Sequence, residues 1–268
     1  MVKKVILRQQ PTFAMALLGT IEVKNQPSPL SPLSLLSPLS PYIASILETR
    51  SQVPKCRSIS IAVSGIDGCG KGYIATKIVD NLKASGINVA LINGDGWLNL
   101  PEVRFDKDNP AECFYLNAFR FQEMFSQLVL PLRDRRSIRI EADFTEETAT
   151  NYRKHLYEFE NIDVIIIEAI YLLQPAFMPN YDLSFWIDCS FKTALERALR
   201  RAQEGLPPEE TINAYRTIYF PAQIIHFRRD HPRSLATGII NNDLEAIAGQ
   251  EYPRLQEILD FTATRERG

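Results

Sequence analysis

Eight residues constrain this chain more than any others. Gly65-Ile66-Asp67-Gly68-Cys69-Gly70-Lys71-Gly72 match the phosphate-binding pattern GxxxxGK[ST] at every position except the last, where glycine replaces the hydroxyl residue. Such a loop works through its backbone. Glycines reach positive φ at little cost, so successive N–H groups can turn inward around an anion. The helix that follows adds its positive N-terminal end. The pattern therefore needs a strand before it and a helix after it. Ile59 to Ser64 is apolar, β-branched and bounded by turn residues, which predicts a buried strand. Tyr73 to Lys83 carries Ile74, Ile78, Val79 and Leu82 at helical spacing. A nucleoside triphosphate is thus expected on Gly65, Ile66, Asp67, Gly68, Cys69, Gly70, Lys71, Gly72 and Tyr73, with Lys71 reaching its β- and γ-phosphates.

The alternation continues past the loop. Strands are predicted at Asn88 to Asn93, Asp163 to Glu168, Leu183 to Asp188 and Thr237 to Asn241, and a short extended or hairpin element at Ser137 to Phe144. Helices are predicted at about Pro110 to Leu132, Phe191 to Glu204, Glu209 to His226 with a disturbance near Pro221, and Tyr252 to Phe261. Strands alternating with helices predict an α/β fold: a mostly parallel sheet covered on both faces. Ligands bind such sheets beyond the carboxyl ends of the strands. The loop, Asp95 and Glu168 all follow strand ends, so they should converge on one crevice.

Residues 1–50 read as an N-terminal extension and 51–268 as one domain. Within the extension, Gln26 to Pro41 is rich in Ser, Pro and Leu and reads as an extended connector; Tyr42 to Ser51 reads as a short helix. Arg8 to Pro11 interrupt any signal-type apolar core near the start. A net charge of −2 carries no general signature for nucleic acid or membrane. No stretch approaches the ~18 consecutive apolar residues of a membrane helix. Four scattered cysteines without a CxxC pair, beside three histidines, argue against zinc and for free thiols in a reducing, cytoplasmic setting.

The order of the remaining motifs resembles the uridine kinase and phosphoribulokinase-like family of P-loop small-molecule kinases, from about Ser58 to Asp243. Asp95-Gly96-Trp97 stands where that family has Asp-x-Phe-Tyr, and Ala142-Asp143-Phe144 where it has Tyr-Asp-aromatic. Ile165 to Ile170 resembles its hydrophobic strand ending in Glu. Phe185 to Asp188 with Arg197, Arg200 and Arg201 resembles its strand-to-lid segment, and Thr211 to Gln223 its post-lid helix. The resemblance implies a three-layer α/β/α P-loop fold with a helical lid, and phosphoryl transfer from ATP, with Mg²⁺, to a hydroxyl of a nucleoside or similar metabolite. Asp95 would accept the hydroxyl's proton. Lys71, Arg197 and Arg201 would neutralise transferring charge. Asp95, Trp97 and Asp143 would contact the acceptor, and Glu168 would hold Mg²⁺ through water. A homo-oligomer is left open.

Three departures bear on these expectations. Gly72 cannot ligate metal, although Mg²⁺ readily keeps several waters. Ala142 replaces an aromatic of the family pattern. The histidine that uridine kinases place after the Tyr-Asp-aromatic motif is missing, since Thr145-Glu146-Glu147-Thr148 follow Phe144. The last two weaken uridine as the acceptor, and the basic cluster of Arg228, Arg229, His231 and Arg233 keeps phosphosugar, pantothenate or glycerate-type kinases in view. Gly72 and the proline-rich arm keep in view a nucleotide-binding regulator with an impaired loop.

Overall fold

A computed structural model describes residues 38–201 and 205–243. The expected Tyr252 to Phe261 helix, the end of the Phe191 to Glu204 helix and most of the Gln26 to Pro41 connector lie outside the described residues. Pro41 itself does not extend the connector. It occupies the first turn of helix α1 (Ser40–Gln52), where a missing N–H costs nothing.

From there the chain runs through β1 (Ile59–Gly65), α2 (Lys71–Ala84) and β2 (Val89–Asn93), then a 3₁₀ turn at Gly94–Trp97. Helices α3 (Pro101–Arg104), α4 (Pro110–Asn117), α5 (Phe121–Met124) and α6 (Leu130–Arg135) follow, then the antiparallel pair β3 (Ile138–Phe144) and β4 (Arg153–Phe159). Next come β5 (Val164–Glu168), β6 (Leu183–Asp188), α7 (Phe191–Arg201), α8 (Pro208–Ala214), α9 (Phe220–Asp230), α10 (Pro232–Leu235) and β7 (Gly238–Asn241). Five strands form one parallel sheet in the order β2-β5-β1-β6-β7. Central β1 and β5 are buried at every residue, as their unbroken apolar runs require when both sheet faces are covered. This is the expected α/β fold. No helix among the described residues is long and apolar enough to cross a membrane.

The predicted helix at Pro110 to Leu132 is broken. Residues 97–99 pair with 118–120: Asn99 N–H donates to Ala118 O (2.8 Å) and Arg120 N–H to Trp97 O (2.8 Å). Backbone groups committed to that bridge cannot also close helical rings. The second half then widens into a π turn at Phe125–Val129, two residues before Pro131. The same device recurs in the predicted Glu209 to His226 helix, where a π turn at Tyr215–Tyr219 ends two residues before Pro221. Proline has no N–H for the i→i−4 ladder, and each chain segment takes up the mismatch with wider rings ahead of it. Strand β4 had no counterpart among the expectations. Its Arg153, Lys154, His155 and Glu158 belong to an exposed two-stranded ribbon, in which Ala142 and Tyr157 face inward.

Helix α9 is tied to α4 by a buried polar knot. His226 Nδ1 lies 2.7 Å from Asp230 Oδ2, and Tyr115 Oη donates to the same oxygen (2.6 Å). Burial pushes the His226 pKa below its ordinary 6.5, even against the pull of Asp230. A histidine kept neutral in the folded state takes up a proton on unfolding below that value. Stability contributed by this site is therefore complete above pH 6.5 and declines as pH falls through it. Urea midpoints at pH 7.5, 6 and 5 should decrease in that order. His226→Gln, which retains an amide donor for Asp230, should flatten the slope.

Candidate active site

The glycine loop connects β1 to α2. Gly68 (φ +76°) and Gly70 (φ +87°) take the left-handed conformation. Neither has room for a side chain. A Cβ on Gly68 would lie 2.4 Å from Ala194 O, and one on Gly70 2.6 Å from Asn242 Nδ2. The loop is gripped from outside. Arg197 Nη1 (2.9 Å) and Asn242 Nδ2 (2.8 Å) both donate to Cys69 O, while Arg197 Nη2 donates to Asn242 O (2.7 Å). Inside the loop, Asp67 accepts from Gly68 N–H (2.9 Å) and from Tyr215 Oη. The π turn carrying Tyr215 is thereby tied to the loop.

Lys71 opens α2 and is buried, its Nζ 3.7 Å from Glu168 Oε1 at the end of β5. Burial would lower the lysine pKa, but Glu168, Cys69, Asp67 and Asp95 together raise it. Lys71 stays charged. Glu168 is pushed up from its ordinary value, first by burial, with Lys71 opposing and Asp95 adding to the rise. Asp95 sits in the 3₁₀ turn after β2, fixed by its N–H on Asn93 Oδ1 (2.8 Å). Its carboxyl is open to water within a crevice walled by protein. The desolvation there raises its pKa, Lys71 lowers it, and Asp67 raises it again. The flanking glycines allow close packing: a Cβ on Gly94 would meet Ala169 Cβ at 2.5 Å, and one on Gly96 the Phe144 ring at 2.6 Å.

Asp67, Lys71, Asp95 and Arg201 line one cleft. Arg201 Nη2 lies 3.7 Å from Asp67 Oδ1. Glu168 stands behind Lys71. Other expected residues lie elsewhere. Arg197 grips the far side of the loop. Arg200 points outward toward Glu196 (3.7 Å). Trp97 is fully buried, stacked on Tyr157 beneath the Arg120 guanidinium. Asp143 is half exposed on β3 and paired with Lys154 (2.8 Å). Tyr73 is 64% exposed, on the outer side of α2.

The cleft also contains residues that sequence reasoning did not assign. Arg104, Tyr219 and Gln223 line it. Arg104 lies on a four-residue helix too short to print a periodicity, and Gln223 was visible only as part of a helix motif. Gly72 is open on its side-chain face. A Cβ there would stand 3.7 Å from Glu168 Oε2, an ordinary contact, so the missing hydroxyl reflects residue choice and not lack of space.

No protein-family model matches the chain. In sequence it is similar to a uridine kinase of Limosilactobacillus reuteri, 27% identical over 164 residues that cover 59% of this chain and 72% of the relative. In structure it is similar to a possible uridine kinase from Bacillus stearothermophilus (TM-score 0.57, 17% identity, 75% of this chain and 98% of that one). It is also similar to the D-glycerate 3-kinase of Cryptococcus neoformans (TM-score 0.56, 13% identity, 81% of this chain and 99% of that one). The chain has the P-loop kinase fold, and its likeness to uridine kinase-like proteins extends to sequence.

The thiol inside the loop is not reactive by this geometry. Burial pushes Cys69 up to about 11 and Cys189 up to about 12, whereas Cys56 is exposed. Brief iodoacetamide treatment of the native protein at pH 8, followed by peptide mass mapping, should label Cys56 and spare Cys69 until denaturant is added.

Proposed function

We propose that this chain is an ATP-dependent small-molecule kinase, similar to uridine kinases, that transfers the γ-phosphoryl group of ATP to a hydroxyl. The observation that carries this reading is the placement of the Lys71 ammonium and the Asp95 carboxylate in one cleft at the strand ends, with Glu168 beside the lysine. The loop N–H groups and Lys71 would hold the phosphates. The acceptor oxygen would form its bond to the γ-phosphorus as the bridge to the β-phosphate breaks and ADP leaves with the electron pair. Asp95 would take the hydroxyl proton. Arg201, at the cleft beside Asp67, suits the transferring charge better than Arg197, whose guanidinium is occupied behind the loop.

Among the described residues no group of three or more acids, cysteines or histidines gathers as a metal cage. Of the carboxylates acting on Lys71, Asp67 is engaged by Gly68 N–H and Tyr215, which leaves those of Asp95 and Glu168 as donors. That set fits a Mg²⁺ ion that takes most of its shell from phosphate and water. When bound, such an ion neutralises phosphate charge. Glu168 would orient its water shell, and Gly72 adds no ligand.

Asp95→Asn keeps the shape of the cleft and removes the proton acceptor. It should lower kcat by roughly 100-fold or more while ATP affinity, measured by calorimetry, changes little. Unchanged turnover would remove Asp95 from the reaction. A second reading, a nucleotide-binding regulator, draws on Gly72. Gly72→Ser fits the available space, so its effect is a clean measure of the missing hydroxyl. A rise in ATP turnover of a few-fold, with the native chain already active, fits a kinase that leaves the ion to water. Nucleotide binding without turnover in the native chain, with turnover gained only in the Gly72→Ser variant, would favour the regulator.

A further inference from the structure

Arg104 is only 2% exposed, yet it makes no ion pair with a carboxylate among the described residues. Its Nη2 donates to Glu147 O (2.6 Å), and its guanidinium lies against the Phe105 ring (5.1 Å). Its Nε is buried without a partner. Burial lowers its pKa; Glu147, Tyr219 and Asp95 act on it only from a distance. Across the cleft, Gln223 on α9 is 1% exposed, and both its amide oxygen and its amide nitrogen lack partners. Buried polar groups without partners are costly, and a buried cation without a counter-ion more so. These two side chains line the same cleft as Asp95. Neither is needed to hold the loop or the phosphates.

We propose that Arg104 and Gln223 form the acceptor subsite and that the acceptor is a small hydroxy acid, its carboxylate on Arg104 and a second polar group on Gln223. The inference rests on the kinase reading above. A planar guanidinium matches a carboxylate's two oxygens. The charge balance favours a monoanion. Asp67, Asp95 and Glu147 line the cleft against Lys71, Arg201 and Arg104; with Lys71 and Arg201 given to the phosphates, Arg104 is the one cation left for the acceptor, and with one neutral amide it answers a single negative charge better than a phosphate dianion. A hydroxyl held on the same small molecule would then lie toward Asp95.

The test is an acceptor panel of three-carbon and four-carbon hydroxy acids, neutral polyols, nucleosides and sugar phosphates, assayed by ADP release with the native chain, Arg104→Met and Gln223→Leu. Thermal shift with the same acceptors and calorimetry of ATP run alongside. Hydroxy acids should be the preferred acceptors. Arg104→Met should raise their KM roughly 10- to 100-fold with nucleotide affinity retained. Gln223→Leu removes a buried amide without partners and fills its volume. It should melt no lower than the native chain and yet lose hydroxy-acid affinity, a combination that a purely structural role would not give. It also keeps the proposal testable if Arg104→Met does not fold. Turnover of nucleosides or polyols, indifferent to both substitutions, would overturn the subsite and leave the kinase reading intact. Preference for sugar phosphates would overturn the carboxylate. If no acceptor is phosphorylated although ATP binds, the kinase reading fails. The subsite is then judged by thermal shift alone: a hydroxy-acid shift in the native chain that both variants lose upholds it, and no shift in the native chain overturns it.

Discussion

A glycine loop can hold an anion only if something else holds the loop. Glycines give it the left-handed turns it needs and leave it no side chains with which to fix its shape. In this chain the fixing comes from distant segments that meet at one carbonyl. Cys69 O takes hydrogen bonds from Arg197 on α7 and from Asn242 beyond β7, and Arg197 also takes up Asn242 O. α7 and the segment after β7 thus grip the loop from outside. Sheet order matters here. β6 lies beside β1 and β7 beside β6, so the segments that leave their carboxyl ends arrive at the loop's flank.

Once the loop is fixed, its electrostatics follow from counting charges. Three carboxylates, Asp67, Asp95 and Glu168, act on one buried lysine. The lysine is therefore held charged, while burial pushes Asp95 and Glu168 toward their neutral forms. An arrangement of this kind is poorly satisfied by itself. Further positive charge brought close to the acids would relieve it, and Arg201 beside Asp67 is a partial answer from within the chain.

How much of this was written in the sequence depends on the kind of signal. β1 and β5 were legible because strands buried on both faces are continuous apolar runs, and the loop because its glycines have a geometric purpose. β4 was not, since an exposed ribbon mixes charges and aromatics without a strict period. Nor was the break between α4 and α5, which is set by a backbone bridge to residues 97–99 that no local pattern records. At the cleft, Lys71, Asp95 and Arg201 could be found through motif order. Trp97 and Asp143 could not be placed that way, because a motif gives position along the chain and not the direction of a side chain. Arg104 and Gln223 carry no motif of their own. What marks them is burial without partners, a property that exists only in three dimensions.

The π turn at Tyr215–Tyr219 has a consequence for how this chain can vary in length. A π turn is an α-helix carrying one surplus residue, so the segments on either side of it are out of phase by about 100°. That offset lets Tyr215 reach Asp67 while Tyr219 and Gln223, one helical turn apart, both face the cleft. Deleting a single residue here would restore a regular helix and would also turn one of these sets away from its target. Helix interiors ordinarily accept substitution more readily than loops accept precision. In this stretch the reverse holds: residue identity at the exposed Thr217 is free to drift, whereas the number of residues between Tyr215 and Gln223 is not.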